Sequence, residues 1–214
     1  MHGCSVPSAG RELLSEFANA LGGWEWDVAL LQEVPPWWPA PLAAHLQADA
    51  RLTLTSRNAL PGVRRGVAQR WPDLIKSNGG GANAVLCRRG VVVEHRTRRL
   101  CVWPERRRLH AVRVGGNGPW IGNLHATVRN TAAALRDGRL AAATALRWAA
   151  GAPVVLGGDF NVRSLGLPGF TWAGGNDVDH VFAAGLEPVV GSLAVLERGR
   201  LSDHAPVAVS LVEP

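Results

Sequence analysis

Apolar residues in this chain fall into short runs of strand length, bounded by turn-forming and polar residues. The runs at 28–31, 154–156 and 205–209 have the length and the aliphatic content of buried strands. Between 83 and 125 the chain alternates in the strand manner, which predicts a meander or a set of hairpins. The expected strands there are 84–87, 91–94, 109–114 and 120–124.

Three other segments space their apolar residues as helices do. They cover residues 11–21, 40–48 and 130–150, the last with a break or bend at Gly138. The glycine-rich stretch 56–81 is expected to be mostly loop. Helices early and in the middle of a chain of mixed strands predict a layered α/β fold with a largely antiparallel sheet.

Length and composition place limits on the class of protein. A chain of 214 residues forms one well-packed domain, and no apolar run in it is long enough to cross a bilayer. We therefore expect a soluble, cytoplasmic protein without a membrane anchor. Cys4, Cys87 and Cys101 are odd in number and lack metal-ligand spacing, which favours free thiols.

The net charge of +6 has two explanations of equal weight. A basic surface attracts polyanions such as nucleic acid. However, Lys76 is the only lysine, and so many arginines beside abundant alanine and glycine are also typical of a GC-rich genome. The charge alone does not identify a partner.

Polar clusters border three of the strand-like runs. They are Leu31-Gln32-Glu33, Gly158-Asp159-Phe160-Asn161 and Ser202-Asp203-His204, and only folding can bring them together. Carboxylate and amide oxygens at strand tips are hard ligands, and histidine carries protons near neutral pH. The combination predicts a Mg²⁺ site acting on phosphate, with Mn²⁺ as the alternative cation.

Phosphoester hydrolysis indicates a role for each of these side chains. Glu33 can hold the metal and Asp203 can complete its environment. Asp159 can orient or deprotonate the attacking water, while Asn161 can donate a hydrogen bond to a phosphoryl oxygen.

Two histidines are candidates for proton transfer. Asp179 can fix the tautomer of His204, and His125, at another strand end, can contact the phosphate or protonate the leaving group. Taken singly, each residue has an ordinary structural explanation, because strand-end aspartates often cap turns and a lone histidine is often structural.

The order of the motifs resembles the endonuclease/exonuclease/phosphatase superfamily of Mg²⁺-dependent hydrolases. The matching pieces span nearly the whole chain: 31–34, Asn123-Leu124-His125, 157–161, Val178-Asp179-His180-Val181-Phe182 and 201–207. The resemblance implies a four-layered α/β sandwich of two facing sheets flanked by helices, with the active site at one rim. It implies the same roles for the residues above, and it matches His125 to the family's other active-site histidine.

Two departures from the family pattern stand out. The family opens with a strand ending in Trp-Asn, whereas this chain begins Met1-His2-Gly3, so we expect a single domain over 1–214 that lacks its first strand. A domain without that strand is expected to be poorly stable or to pair with another chain. The chain also has no tyrosine, which argues against abasic-site repair, and it offers Asn83 where pancreatic deoxyribonuclease carries a carboxylate; Asn83 is a substrate-binding candidate or a turn residue.

Two further segments allow alternative interpretations. The arginine-rich stretch 96–108, interrupted by Trp103, can track a phosphate backbone and stack a base, or it can be a solvated hairpin edge. Trp37 and Trp38 can form a wall of the cleft or cover the edge of the core.

The expected function is hydrolysis of a phosphoester, by a phosphodiesterase or a nuclease acting on DNA or RNA. The alternatives are a small-molecule phosphatase and a catalytically impaired family member that binds nucleic acid or a phosphorylated ligand. Phospholipid cleavage has no support, because no amphipathic membrane helix stands out.

Overall fold

The computed structural model describes residues 1, 12–56, 58–71 and 81–214. Its helices are α1 (Leu14–Gly23), α2 (Pro39–Leu46), α3 (Pro61–Arg70) and α4 (Thr131–Ala149). Its strands are β1 (Val28–Val34), β2 (Asp49–Leu54), β3 (Ala82–Cys87), β4 (Val92–Cys101), β5 (Arg107–Val114), β6 (Trp120–His125), β7 (Val154–Asp159), β8 (Thr171–Asn176), β9 (Asp179–Ala184), β10 (Glu187–Pro188), β11 (Ala194–Val195), β12 (Val207–Ala208) and β13 (Leu211–Val212).

The strands form two main sheets. One has three antiparallel strands in the order β1-β3-β2. The other has six strands in the order β4-β5-β6-β7-β9-β8, antiparallel except for the β6–β7 pair. Two short ribbons, β10–β13 and β11–β12, lie near the carboxyl end of the chain.

Three separate hydrophobic clusters divide the fold into four layers. The first packs α1 and α2 on the three-stranded sheet, through residues such as Phe17, Leu42 and Leu86. The second lies between the two sheets and includes Val85, Val112 and Ile121. The third packs α4 on the six-stranded sheet; its buried members include Ala141, Leu124 and Leu156. The predicted α/β sandwich of two facing sheets is therefore confirmed.

Helix α4 is continuous through Gly138, so the predicted break is absent. Asn130 caps its first turn by accepting a hydrogen bond at its side-chain oxygen from the Ala133 N–H. Gly138 is buried, and a Cβ there would make ordinary van der Waals contacts with Phe160 and Leu165, at 3.4 and 3.5 Å, so the packing does not require a glycine at this position. None of the described helices is long and apolar enough to cross a membrane.

The structure differs from the sequence prediction at several elements. Helix α3 lies within the stretch that we expected to be mostly loop, because Gly62 and Gly66 weaken the helical signal that Pro61 introduces. Strands β2 and β8 were not predicted. The expected strand at 205–209 is reduced to β12, with β13 after it. The start of the expected first helix, at Arg11, lies outside the described residues.

Met1 lies beside β1, on the edge away from β3. Its ammonium donates a hydrogen bond to the Leu30 carbonyl at 2.6 Å, and its own carbonyl accepts one from the Gln32 N–H at 3.0 Å. Burial lowers the pKa of this amino group, while the charges of Asp179 and Asp159 act in the opposite direction. Met1 is thus part of the polar end of the inter-sheet space.

Candidate active site

The carboxyl end of β1 places Glu33 at the rim between the two sheets. The register of β1 on β3 shifts between Leu31 and Val34, and Glu33 adopts a left-handed φ of 51°. A bulge of this kind redirects a side chain, at a cost of about 1 kcal/mol for a non-glycine residue. The Glu33 side chain is 14% exposed, and its Oε1 lies 3.9 Å from His125 Nδ1.

A buried amide pair joins the two sheets just beneath this rim. The Gln32 side chain donates a hydrogen bond to Asn123 Oδ1 at 2.7 Å, and both residues are buried. Asn123 Nδ2 in turn donates to the carbonyls of Leu31 and Ala84, each at 2.9 Å. This network fixes the height of β6 relative to β1, and therefore the position of His125 relative to Glu33.

Three neighbouring strands deliver their polar residues to the same edge. Because β6 and β7 are parallel, their carboxyl ends coincide, and His125 is the register partner of Asp159. The two side chains are 3% and 2% exposed, with His125 Nε2 at 3.4 Å from Asp159 Oδ2. Strand β9 runs antiparallel to β7 and places Asp179 opposite Asp159. Two carboxylates at directly opposed positions favour binding of a cation or a cationic histidine.

The turn after β7 holds Asn161 in a fixed orientation. Asp159 Oδ1 accepts the Asn161 backbone N–H at 2.8 Å, and Asn161 has a left-handed φ of 53°. The Asn161 side-chain nitrogen donates to the Ala126 carbonyl at 3.1 Å. The residue after Ala126 is itself clamped, because the Thr127 N–H and hydroxyl both donate to the fully buried Asp137 of α4. Nothing in the sequence pattern identified Asp137.

His204 pairs with Asp179, as the sequence predicted. Its Nδ1 lies 2.7 Å from Asp179 Oδ2, with both side chains partly exposed. The backbone N–H of His204 donates to the hydroxyl of the buried Ser202, and Arg198 donates to the carbonyls of Ser202 and Asp203. Asp203 is exposed, and it lies on this loop next to His204.

Asn83 lies within β3 and not in a turn. It is fully buried, and no hydrogen-bond partner for its amide nitrogen or oxygen is found among the described residues. Its neighbours Ala82 and Ala84 pack toward the helices, so strand alternation directs Asn83 into the space between the sheets. A substrate-binding role for Asn83 stays a prediction.

Trp37 and Trp38 belong to the helix-covered core, and the cleft-wall interpretation is wrong. Both indole N–H groups donate to Glu12 Oε1, at 3.1 and 2.9 Å. Trp38 is fully buried and packs against Phe17 with ring centroids 5.3 Å apart. The proline-rich sequence around these residues leads into α2, so the indoles turn inward.

Sequence reasoning missed a cavity beside the turn after β7. It has a volume of about 230 Å³ and is lined by Arg163, Ser164, Leu165, Trp172 and His180. The Trp172 indole N–H donates to His180 Nδ1 at 3.2 Å, and His180 Nε2 lies 2.8 Å from the Val162 carbonyl. These partners make Nδ1 the acceptor and Nε2 the donor of the His180 ring. The sequence signal that could have located this wall of the cavity was the Thr171-Trp172 pair, because both residue types are typical of strands.

The donor set suits a hard divalent cation held by few protein ligands. Among the described residues, no group of three or more His, Cys, Asp or Glu side chains is arranged to bind a metal. Magnesium, however, usually keeps several waters and takes one or two carboxylates plus phosphate oxygens. Glu33, at the rim and close to His125, has a carboxylate placed where it could hold such an ion.

Comparison with known proteins agrees with this architecture. The chain is similar in structure to an endonuclease/exonuclease/phosphatase from Beutenbergia cavernae, with 20% identity and a TM-score of 0.69 over 99% of this chain and 69% of that chain. It is also similar to a mannosyl-6-phosphatase from Bacteroides thetaiotaomicron, with 16% identity and a TM-score of 0.65 over 93% and 90% of the two chains. Truncated TDP2 from Caenorhabditis elegans gives 16% identity and a TM-score of 0.65 over 95% and 92%.

These TM-scores establish a shared fold. No curated protein matches the chain at a significant level. The sequence pattern of one family, described as Endonuclease/Exonuclease/phosphatase, matches residues 6–204, which include every candidate site residue described above. The chain belongs to the Endonuclease/Exonuclease/phosphatase family.

Proposed function

We propose that this protein is a Mg²⁺-dependent phosphoester hydrolase that acts as a phosphodiesterase. The observation that carries the proposal is the hydrogen-bonded pair of His204 and Asp179, on the strand next to Asp159. Family members are generally hydrolases of phosphoesters, and the three structural neighbours named above include a phosphatase and TDP2. A cation, a water-orienting carboxylate and a proton carrier are what such a reaction requires.

In this proposal His204 acts as the acid and phosphate contact. The Asp179 carboxylate accepts the Nδ1 proton, which directs Nε2 toward the cleft and stabilises the imidazolium form. A cationic Nε2–H can donate a hydrogen bond to a phosphoryl oxygen, and its charge becomes more valuable as negative charge develops in the transition state.

Asp159 is proposed to orient the attacking water. One of its oxygens is engaged by the Asn161 N–H, while the other faces His125 at 3.4 Å. The Asn161 side chain, held by the Ala126 carbonyl, is proposed to contact the phosphate. His125 is proposed to contact the phosphate or to protonate the leaving oxygen, from a position where little rotation is allowed.

In the proposal, Glu33 and Asp203 are the metal ligands, and Asp203 reaches the metal from the opposite loop. The carboxylates of Glu33, Asp159 and Asp179 converge on one rim, so an approaching phosphate meets negative charge. A bound Mg²⁺ would neutralise that charge and polarise a phosphoryl oxygen.

The test is hydrolysis of bis(p-nitrophenyl) phosphate, with the monoester p-nitrophenyl phosphate alongside. We expect turnover of the diester that requires Mg²⁺ and that falls by about 10²–10⁴ in His204→Ala. The matched control is His45→Ala, an exposed histidine on α2 away from the rim, which should retain activity. Turnover of the monoester alone would favour the small-molecule phosphatase. Absence of turnover of either ester, with retained binding of phosphate esters, would favour the impaired binding protein.

A further inference from the structure

The hairpin between β4 and β5 extends the active-site rim. Strand β5 pairs with β6 so that Leu109 lies opposite Leu124, which places Arg108 level with His125, the last residue of β6. The connection at 102–106 therefore projects beyond the rim, by on the order of 10 Å at the strand rise per residue. The Arg106 N–H donates to the Ser56 hydroxyl at 2.6 Å, which joins the hairpin tip to the end of β2 in the facing sheet. The tip thus continues one wall of the cleft.

This hairpin concentrates arginines that its own carboxylates do not neutralise. Glu94 pairs with Arg96 and Arg113, and Glu105 pairs with Arg107. The remaining arginines of the hairpin form no ion pair with any carboxylate of the described chain: Arg98, Arg99, Arg106 and Arg108. Over residues 92–114, seven arginines stand against two glutamates, so the hairpin is a basic surface with a net charge of +5.

The register of β4 on β5 brings arginines of this surface into mutual repulsion, which destabilises the hairpin when no anion is bound. Arg99 lies opposite Arg108, and like charges at opposed positions destabilise a strand pair. The Nε atom of Arg108 is buried, and no hydrogen-bond partner for it is found in the described part of the chain. Arg108 shares its sheet face with His110, which points between the sheets, so its guanidinium extends the polar rim near His125. An anion bound between Arg99 and Arg108 would reduce the repulsion between them and supply a hydrogen-bond acceptor to Arg108.

Two apolar side chains lie at the tip of the same hairpin. Trp103 is 84% exposed and Val102 is 59% exposed. A tryptophan usually gains stability by burial of its large ring, and an indole left in solvent beside guanidinium groups is suited to stacking on a planar partner. Stacked bases along a basic groove are how proteins bind single-stranded nucleic acid.

We propose that the β4–β5 hairpin binds a single-stranded segment of nucleic acid and feeds it into the cleft, with Arg99 and Arg108 on phosphates and Trp103 stacked on an unpaired base. The inference rests on the proposed function, because it assigns the substrate of that site. A duplex would offer the arginines the same phosphates, but its bases are already stacked and leave no partner for Trp103. An acidic peptide would match the charge of the arginines but would offer Trp103 no planar base on which to stack.

The test measures binding without hydrolysis, so that it does not depend on the catalytic residues. Fluorescence anisotropy in EDTA would follow labelled oligonucleotides of about 12 nucleotides, as single-stranded DNA, single-stranded RNA and duplex DNA, with polyglutamate as competitor. The variants are Trp103→Ala and the double variant Arg99→Gln/Arg108→Gln. The control is Arg139→Gln/Arg147→Gln, which removes the same charge from the exposed face of α4.

We expect either single strand to bind more tightly than the duplex. Trp103→Ala should weaken that binding about tenfold. The hairpin double variant should weaken it by a similar factor and lower the dependence of log K on log salt concentration by about 1.4, the value for two lost contacts. The α4 control should change affinity only slightly.

Three results would overturn the proposal: equal binding of the duplex, an equal loss in the α4 control, or displacement by polyglutamate as effective as by DNA. Diester turnover by the wild-type protein is measured separately, so that the binding site and the proposed function are tested independently. A protein that turns over the small diester but shows one of these three results has the proposed function without the hairpin site. A protein that binds single strands through Trp103 but turns over nothing has the site without the function.

Discussion

His204 Nδ1 lies 2.7 Å from Asp179 Oδ2, although 25 residues separate them along the chain. The contact forms because β9 starts with Asp179 at the edge where β7 ends, while the loop before β12 brings His204 over the same edge. The carboxylate fixes the orientation of the imidazole ring, which the proposed role of His204 as a donor to phosphate requires.

Replacing Asp179 with asparagine should therefore lower kcat more than it changes KM. The amide can retain the hydrogen bond but cannot stabilise the imidazolium charge, so we expect kcat for the diester to fall by about 10²–10⁴. The measurement is steady-state kinetics beside the control Asp27→Asn, a solvent-exposed carboxylate at the opposite end of β1. A kcat within twofold of wild type in Asp179→Asn would contradict the assigned role.

Asp137 should affect both stability and turnover although it is remote from solvent. Its Oδ2 accepts the N–H and the hydroxyl of Thr127, so Asp137→Ala leaves two buried donors without partners, at a cost of about 1–3 kcal/mol each. The loosened Ala126 carbonyl should also release Asn161 and reduce kcat. Urea unfolding and diester kinetics measure the two effects. Asp137→Asn retains an acceptor and should be closer to wild type in both; equal losses in the two variants would argue against the clamp.

Asn123 should contribute to stability through the junction of the two sheets. The change Asn123→Ala removes the side-chain hydrogen bonds to the Leu31 and Ala84 carbonyls and leaves the Gln32 side-chain amide without its partner in the interior. We expect the free energy of unfolding to fall by about 2–4 kcal/mol, because buried polar groups without partners are costly. Thr53→Ala, at a buried position on β2, is the comparison for loss of side-chain volume. A smaller loss in Asn123→Ala than in that comparison would exclude the network as a source of stability.

His110 should make the protein less stable as the pH falls. Burial, assisted by the nearby His95, lowers the pKa of His110 from 6.5 to about 3. Below pH ~6.5 the unfolded chain therefore binds a proton on His110, whereas the folded protein binds it only at pH ~3. The stability that neutral His110 contributes at pH ~7 is lost progressively as the pH falls between these two values. From pH ~7.5 to pH ~5.5 we expect the free energy of unfolding to fall by about 1 kcal/mol from this residue. His110→Leu should remove that part of the pH dependence in urea titrations; an unchanged slope would contradict it.

Sequence reasoning predicted which polar residues come together at the rim better than it predicted the elements around them. Glu33, Asp159 and Asp179 each lie at a strand end and His204 lies in the loop before β12, and in each case the change between polar and apolar residues is readable in the sequence. The order of the motifs then indicated the family and, with it, the two facing sheets. This part was predictable because strand ends and chain order are properties of the sequence itself.

The rest depends on contacts between segments that the linear pattern does not pair. Helix α3 contains two glycines, and β8 carries Gly174 and Gly175, so local propensity argued against both. Trp38 turned out to be a core residue because α1 supplies Phe17 to pack on it. Asp137 is recognisable only once α4 lies under Thr127, since a single aspartate in an alanine-rich helix has the pattern of a surface residue.

The proposed function assigns Asp159 and His204 to the same hydrolytic step, with Asp159 orienting the water and His204, paired with Asp179, acting on the phosphate. The most direct test is the set Asp159→Asn, His204→Ala and the double variant, measured as kcat for the Mg²⁺-dependent hydrolysis of bis(p-nitrophenyl) phosphate. Residues that act as a unit are strongly non-additive, so the double variant should lose no more than the more severe single variant, about 10²–10⁴. Two single losses that multiply in the double variant, or full activity in either single variant, would contradict the claim.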